Sequence, residues 1–252
     1  YSSHNCGIYL YSSNSNTLTN ITAYSNSWAG FFLESSNSNT LSTIKAYSNG
    51  EGIYLYSSNS NTLTNINATN NAKYDIFYKA PSFSHCSATF ENVIGTGNKP
   101  IVFYNYSVTI KNWNNNVSEI ILCNADNSTI DNLTLIGNEN NGLLLTGETE
   151  NTTIKNSYFQ DLFYGVWVYS SNSNTIANVT TCSNKRHGIY LQSSNNNTLK
   201  NVTTYSNGYN GIFIEASKSS ILQSVTSYSN GWNGIYFYFS DFNTITNITS
   251  YS

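Results

Sequence analysis

The chain has 252 residues, 39% of them hydrophobic and only 9% charged, with a net charge of -3 and a single arginine, Arg186. This is enough apolar material for a core, but it offers no basic face to a phosphate backbone, which excludes nucleic acid as a partner and matches polyanionic ligands poorly. No run approaches the roughly 18 apolar residues of a membrane span, and the sequence opens without a charged-then-apolar leader.

In chain order, the first unit is GIYLYSSNSNTLTNI from Gly7, a near copy starts at Gly30, and the same fifteen residues return unchanged from Gly52. Asp75 then takes the glycine position before IFY, KPIVFYNYSVTIKNW fills one further unit, and Glu119 takes the glycine position before IILCNADNSTIDNLTL. Glycine resumes at Gly142, Gly165, Gly188, Gly211 and Gly234, at intervals of 22 or 23 residues. About eleven turns result, with 75–118 the least regular stretch.

Within a unit the apolar residues alternate with period two, which is the strand signature, and no segment reads as a helix of any length. Ser-Asn clusters separate the strands, because their side chains bond nearby backbone and tolerate left-handed conformations. A lone unit cannot bury its apolar face, so units must stack. Superposition gives two inward columns, from Ile8 to Ile235 and from Leu10 to Phe237, that stay apolar throughout. Asparagines form corner columns, Asn16, Asn39, Asn61, Asn151, Asn174, Asn197 and Asn243 at one corner and Asn26, Asn49, Asn71, Asn184, Asn207 and Asn230 at another. Stacked amides can bond along the coil axis. Cys6, Cys86, Cys123 and Cys182 are far apart and lack CxxC spacing, so neither a zinc site nor a disulfide framework is expected, and each reads as a buried small residue.

The unit GIYLYSSNSNTLTNITAYSN resembles the repeat of NosD-like proteins, common among secreted and envelope proteins of archaea and bacteria, and the resemblance covers nearly the whole chain. It implies an all-β fold, a single-stranded right-handed parallel β-helix of about eleven rungs forming one domain over residues 1–252. It leaves function open, since related β-helices include polysaccharide lyases, hydrolases, epimerases, adhesins, envelope proteins and an accessory protein of copper enzyme maturation. Tyr1 holds the same repeat position as Tyr24, Tyr47, Tyr205, Tyr228 and Tyr251, and neither end has an atypical polar unit. The expectation is a piece of a longer repeat protein or a module that stacks end to end.

Catalysis on such a coil requires clustered titratable groups: two carboxylates for a hydrolase, or a base beside the sugar carbon with a neutralising partner for a lyase or epimerase. Asp75, Asp126, Asp131, Asp161 and Asp241 are scattered, and the Asp-Pro-His-Glu motif of alginate epimerases is absent. The densest cluster is Lys185, Arg186 and His187, one turn above Asp161 and Tyr164, with Gln192 and Glu215 as outward neighbours. Candidate catalytic residues are therefore Asp161, Arg186 and His187, against the plainer reading of a solvated corner. With no methionine, and with His4, His85 and His187 in different parts of the coil, no metal and no cofactor is expected.

Aromatic residues accumulate on the outer face instead. One outward column runs Tyr9, Phe32, Tyr54, Phe77, then Ile121 and Leu144, then Trp167, Tyr190, Phe213 and Tyr236; Tyr11, Tyr56, Tyr169 and Tyr238 stand beside it. Such ladders stabilise a sheet by cross-strand packing, and they also offer flat rings with polar edges to sugars or to another protein. Sequons at Asn20, Asn67, Asn105, Asn116, Asn127, Asn132, Asn151, Asn178, Asn201 and Asn247 fit a glycosylated surface protein, although a corner Asn followed by a strand Thr creates the motif unaided. A threonine rank that could order water, from Thr17, Thr40 and Thr62, breaks at Asp131, Ala177, Lys200 and Leu222 and reads as strand propensity.

The sequence thus predicts a non-catalytic extracellular or cell-surface module, a rigid scaffold whose aromatic, uncharged face meets glycans or neighbouring envelope subunits. The alternative is a polysaccharide lyase, hydrolase or epimerase working near His187.

Overall fold

The computed structural model describes residues 5–137 and 140–252, so Tyr1 and His4 lie outside the described residues. Among these are 26 strands and one three-residue 3-10 turn, Phe83–His85, as the alternation requires. The strands are short because the corners break them: Ser12, Ser15, Ser25, Ser35, Asn178 and Asn201 are among many non-glycine residues held at φ between 45° and 58°. That left-handed region is open to Asn and Ser at small cost and unfavourable to β-branched residues, of which Thr43 at φ 55° is an exception, and this explains the corner composition.

The rungs stack in register. Leu18 pairs with Leu41 and Leu41 with Leu63, while Ile120, Leu143, Val166, Ile189, Ile212 and Ile235 form one continuous inward column. The expected amide ladders are present. Asn49 Nδ2 donates to Asn71 Oδ1 at 3.1 Å and Asn184 Nδ2 to Asn207 Oδ1 at 2.8 Å, both buried. One register needs correction: Thr152, not Asn151, holds the ladder position, its N–H donating to Asn174 Oδ1 at 2.9 Å while Asn151 points to solvent. A buried amide that satisfies both neighbours rigidifies the corner, since an orphaned partner costs about 1–3 kcal/mol.

The stack is not one uninterrupted column. Thr89–Gly95 and Lys99–Tyr104 pair antiparallel, with Ile94 opposite Pro100, and among the described residues every other strand ladder is parallel. An eleven-stranded sheet therefore contains both the second strands of the early units and the first strands of the later ones. In a coil of fixed hand, reversing strand direction while stacking continues the same way moves the interior to the other face of the sheet. Two coils result, on opposite faces of that shared sheet, each with its own core: Phe31, Leu41, Ile53 and Ile66 fill the first, and Leu143, Val166, Ile189 and Leu222 the second. Ile121 and Leu144 are outward residues of the second coil, yet they are buried in the first coil's cluster and close its end.

The other sheet of the first coil, four strands ending at Tyr74–Lys79, abuts the second coil at Leu143–Thr146. Asn140 Nδ2 donates to Asp75 Oδ2 at 2.9 Å and Gly147 N–H to the Ala80 carbonyl at 2.9 Å. A disulfide, Cys86–Cys123, ties the two coils together here, contrary to the expectation of four unpaired cysteines. Spacing along the chain could not show it, because the reversal brings residues 37 apart in sequence together. Cys6 and Cys182 are free. Among the described residues no helix is long and apolar enough to cross a membrane.

Candidate functional site

The junction converts an interrupted column into a continuous one. Because Ile121 and Leu144 are drawn beneath the first coil, Phe77 stacks directly on Trp167 at 5.1 Å, across 90 residues of sequence. Eight rings follow one another, Tyr9, Phe32, Tyr54, Phe77, Trp167, Tyr190, Phe213 and Tyr236, with centroid steps of 4.6–5.4 Å. Their exposure is uneven. Tyr9, Tyr11, Tyr236 and Tyr238 are exposed, Tyr54, Tyr56, Tyr169 and Phe213 half-buried, and Trp167 and Tyr190 buried. The expectation of an open stripe is corrected for the middle of the column, where Tyr74, Phe163, Tyr164 and His187 fold over it from the adjoining corner.

Between that corner and the opposite rim lies a groove of about 270 Å³. Tyr54, Phe77, Trp167 and Tyr190 form its floor; Glu51, Lys73, Tyr74, Phe163, Tyr164 and Arg186 line one side, and Lys79 and Gln192 the other. Half of these residues belong to each coil, so the groove exists only because the coils meet. Lys73 Nζ lies 3.5 Å from Glu51 Oε1, and burial pushes the Glu51 carboxyl up while Lys73 pulls it back. Lys79 sits 4.5 Å over the Tyr169 ring, and Arg186 4.4 Å over that of Tyr209. Burial pushes the Lys79 amine down, with Glu215 opposing. On the Lys79 rim, Tyr190 donates to Glu215 Oε2, which Gln192 Nε2 also reaches at 3.0 Å. Three buried polar atoms of the lining, Glu51 Oε2, Trp167 Nε1 and Gln192 Oε1, have no hydrogen-bond partner.

The sequence-predicted catalytic trio does not assemble. Arg186 lines the groove, but His187 is buried behind it against Tyr164, Tyr190 and Phe213, and its Nδ1 accepts the Asn210 N–H at 3.2 Å. Burial, with the neighbouring Arg186 charge, lowers its pKa to about 4, so the imidazole is neutral near pH 7. Asp161 is an exposed corner residue at φ 56° that accepts from Gln160 Nε2 at 2.9 Å. Glu51, Lys73, Tyr74, Lys79 and Phe163 were missed because the repeat carries no signal that the 70s meet the 160s. A trace existed in Lys79, the only cation in the outer column of Tyr11, Glu34 and Tyr56.

All ten sequon asparagines are exposed. Seven of them, Asn20, Asn127, Asn132, Asn151, Asn178, Asn201 and Asn247, have positive φ, so corner geometry alone accounts for asparagine there. Among the described residues, no group of three or more His, Cys, Asp or Glu converges as metal ligands.

The sequence matches the family described as "Right handed beta helix region" over residues 1–119 and again over 119–252. The chain belongs to the right-handed β-helix family. Among solved structures this β-helix is similar to a D317A mutant of the periplasmic alginate epimerase AlgG, at 13% identity and TM-score 0.51, covering 96% of this chain and 70% of that one. Weaker likenesses include the A-module of the Azotobacter vinelandii mannuronan C-5 epimerase AlgE6 (14% identity, TM-score 0.42, 96% and 75% covered) and tailspike protein 2 of Escherichia coli O157:H7 bacteriophage CAB120 (12%, 0.41, 95% and 32%). Of another structure of the periplasmic alginate epimerase AlgG, a T265N mutant, this chain spans 50% of the length. No curated protein sequence matches it significantly.

Proposed function

We propose that this β-helix is a non-catalytic, glycan-binding module of an extracellular or cell-envelope protein, with kinship to NosD-like surface proteins, and that its site is the junction groove. The observation that carries this is the groove's floor of four stacked rings beside three buried polar atoms without partners, Glu51 Oε2, Trp167 Nε1 and Gln192 Oε1. Sugar rings present apolar faces to aromatic planes and hydroxyls that both donate and accept, which suits an indole N–H and an amide oxygen together. The Cys86–Cys123 disulfide supports an oxidising compartment.

A second reading, turnover of a polysaccharide, has one observation in its favour: the groove is walled, and Glu51 is a buried carboxyl with a raised pKa. Glu51 is, however, the sole carboxylate among the lining residues, which does not supply the pair that hydrolysis needs. The test is incubation of the purified chain with a polysaccharide panel, following retention and the release of reducing or unsaturated ends together. Retention without products is expected. Products would replace the binding reading with the catalytic one, and the absence of both would leave a scaffold.

A further inference from the structure

We infer that the saccharide taken by the groove carries a negative charge, a carboxylate or sulfate group, held between Arg186 and Lys79; this rests on the glycan-binding reading above. The groove lining holds three of the chain's ten cations and one carboxylate, although the chain as a whole is net negative. Lys73 and Glu51 pair with each other. Arg186 and Lys79 are different. Among the described residues neither has a carboxylate within ion-pair distance, and each lies over an aromatic ring instead.

Arg186 and Lys79 lie on opposite sides of the ring platform made by Phe77 and Trp167. A neutral sugar on that platform would serve the floor and the partnerless Trp167 Nε1 and Gln192 Oε1, and it would leave Arg186 without an ion-pair partner and Lys79 with only Glu215, beyond ion-pair distance on its rim. Removing water from a cation is costly unless an anion or acceptor replaces it, and cation-π contact recovers only part of that cost. A ring-borne anion between them supplies what is missing, through charge-assisted hydrogen bonds to a planar guanidinium and a compact ammonium. The chain-wide scarcity of cations argued against polyanions. Their concentration at one groove restores an anionic ligand locally.

The experiment is calorimetric titration of the oxidised full chain with three hexasaccharides, one of uronic acids, one sulfated and one neutral, at low and at high salt. Wild type is compared with Arg186→Gln, Lys79→Gln and Trp167→Ala, each checked for fold by circular dichroism. One or both anionic oligomers should bind at least about ten-fold tighter than the neutral one and weaken with salt, and each glutamine variant should lose about ten-fold on them alone. A preference for uronate or for sulfate identifies the group, and either supports the inference. Neutral binding as tight as anionic, lost in Trp167→Ala but unchanged in Arg186→Gln and Lys79→Gln, overturns the inference while the glycan reading stands. No binding of any oligomer overturns both.

Discussion

Reduction of Cys86–Cys123 is the perturbation that tests the junction most directly. The bond closes a loop of 37 residues that contains the strand reversal. On the chain-entropy relation, opening a loop of that size frees the unfolded chain by about 3.8 kcal/mol at 25 °C. The native state has little compensation, because Gly147 packs against both sulfurs: a Cβ there would lie 2.1 Å from Cys86 Sγ and 2.8 Å from Cys123 Sγ. The assay is urea unfolding followed by near-UV circular dichroism, with and without a phosphine reductant, using Cys86→Ala/Cys123→Ala as the control that reductant should not affect. With an m value of about 3 kcal/mol/M for a chain of this size, the midpoint should fall by about 1.3 M. Glycan retention should fall with it, since the two halves of the groove come from the two coils. A reduced midpoint within about 0.2 M of the oxidised one would refute the reasoning and show that the coils hold together through their packing alone.

Three further outcomes are expected. His187 has its pKa lowered to about 4, so below its ordinary value of 6.5 the unfolded chain takes up a proton that the folded one refuses; stability is therefore lost as pH falls from 6.5 to 4, by up to about 3 kcal/mol. In His187→Asn, which copies Asn210 of the next rung, unfolding midpoints at pH 7 and 4.5 should differ correspondingly less. Gly52→Ala would place a Cβ 2.3 Å from the Asp75 carbonyl and 2.7 Å from Asn71 Nδ2, costing about 1–3 kcal/mol and lowering the melting temperature by several degrees. Asn184→Ala removes the acceptor of the Leu162 N–H and the donor to Asn207 Oδ1; chemical denaturation should show a loss of about 2–4 kcal/mol.

Most of the rung architecture was legible because it is local and periodic. Alternation marks Ile8, Leu10 and Leu18 as inward, and Ser-Asn clusters mark corners that need left-handed backbone. Each such signal repeats every 22 or 23 residues, so errors in one unit are corrected by its neighbours. What escaped was unique. The reversal depends on one hairpin around Gly97 and Asn98, both at positive φ (79° and 56°), and Gly-Thr-Gly-Asn before an apolar stretch is its only local sign. From it follow the disulfide, the burial of Ile121 and Leu144, and the meeting of Lys79 with Trp167 and Arg186. The groove was thus half visible, as an aromatic column, and half hidden, as the charged rim that only the junction assembles.

The seam between the coils also sets where the protein can change length. A whole unit added or removed between Gly7 and Gly52 would lengthen or shorten the ring stack by one member and leave the seam untouched, since each unit contacts only its neighbours. The same change between Asp75 and Glu119 would pull Phe77 off Trp167 and part the two cysteines. Duplication is therefore free on one side of the molecule and forbidden at its waist. The fifteen residues written twice without alteration fall on the permissive side, and the waist holds only the least regular units of the chain.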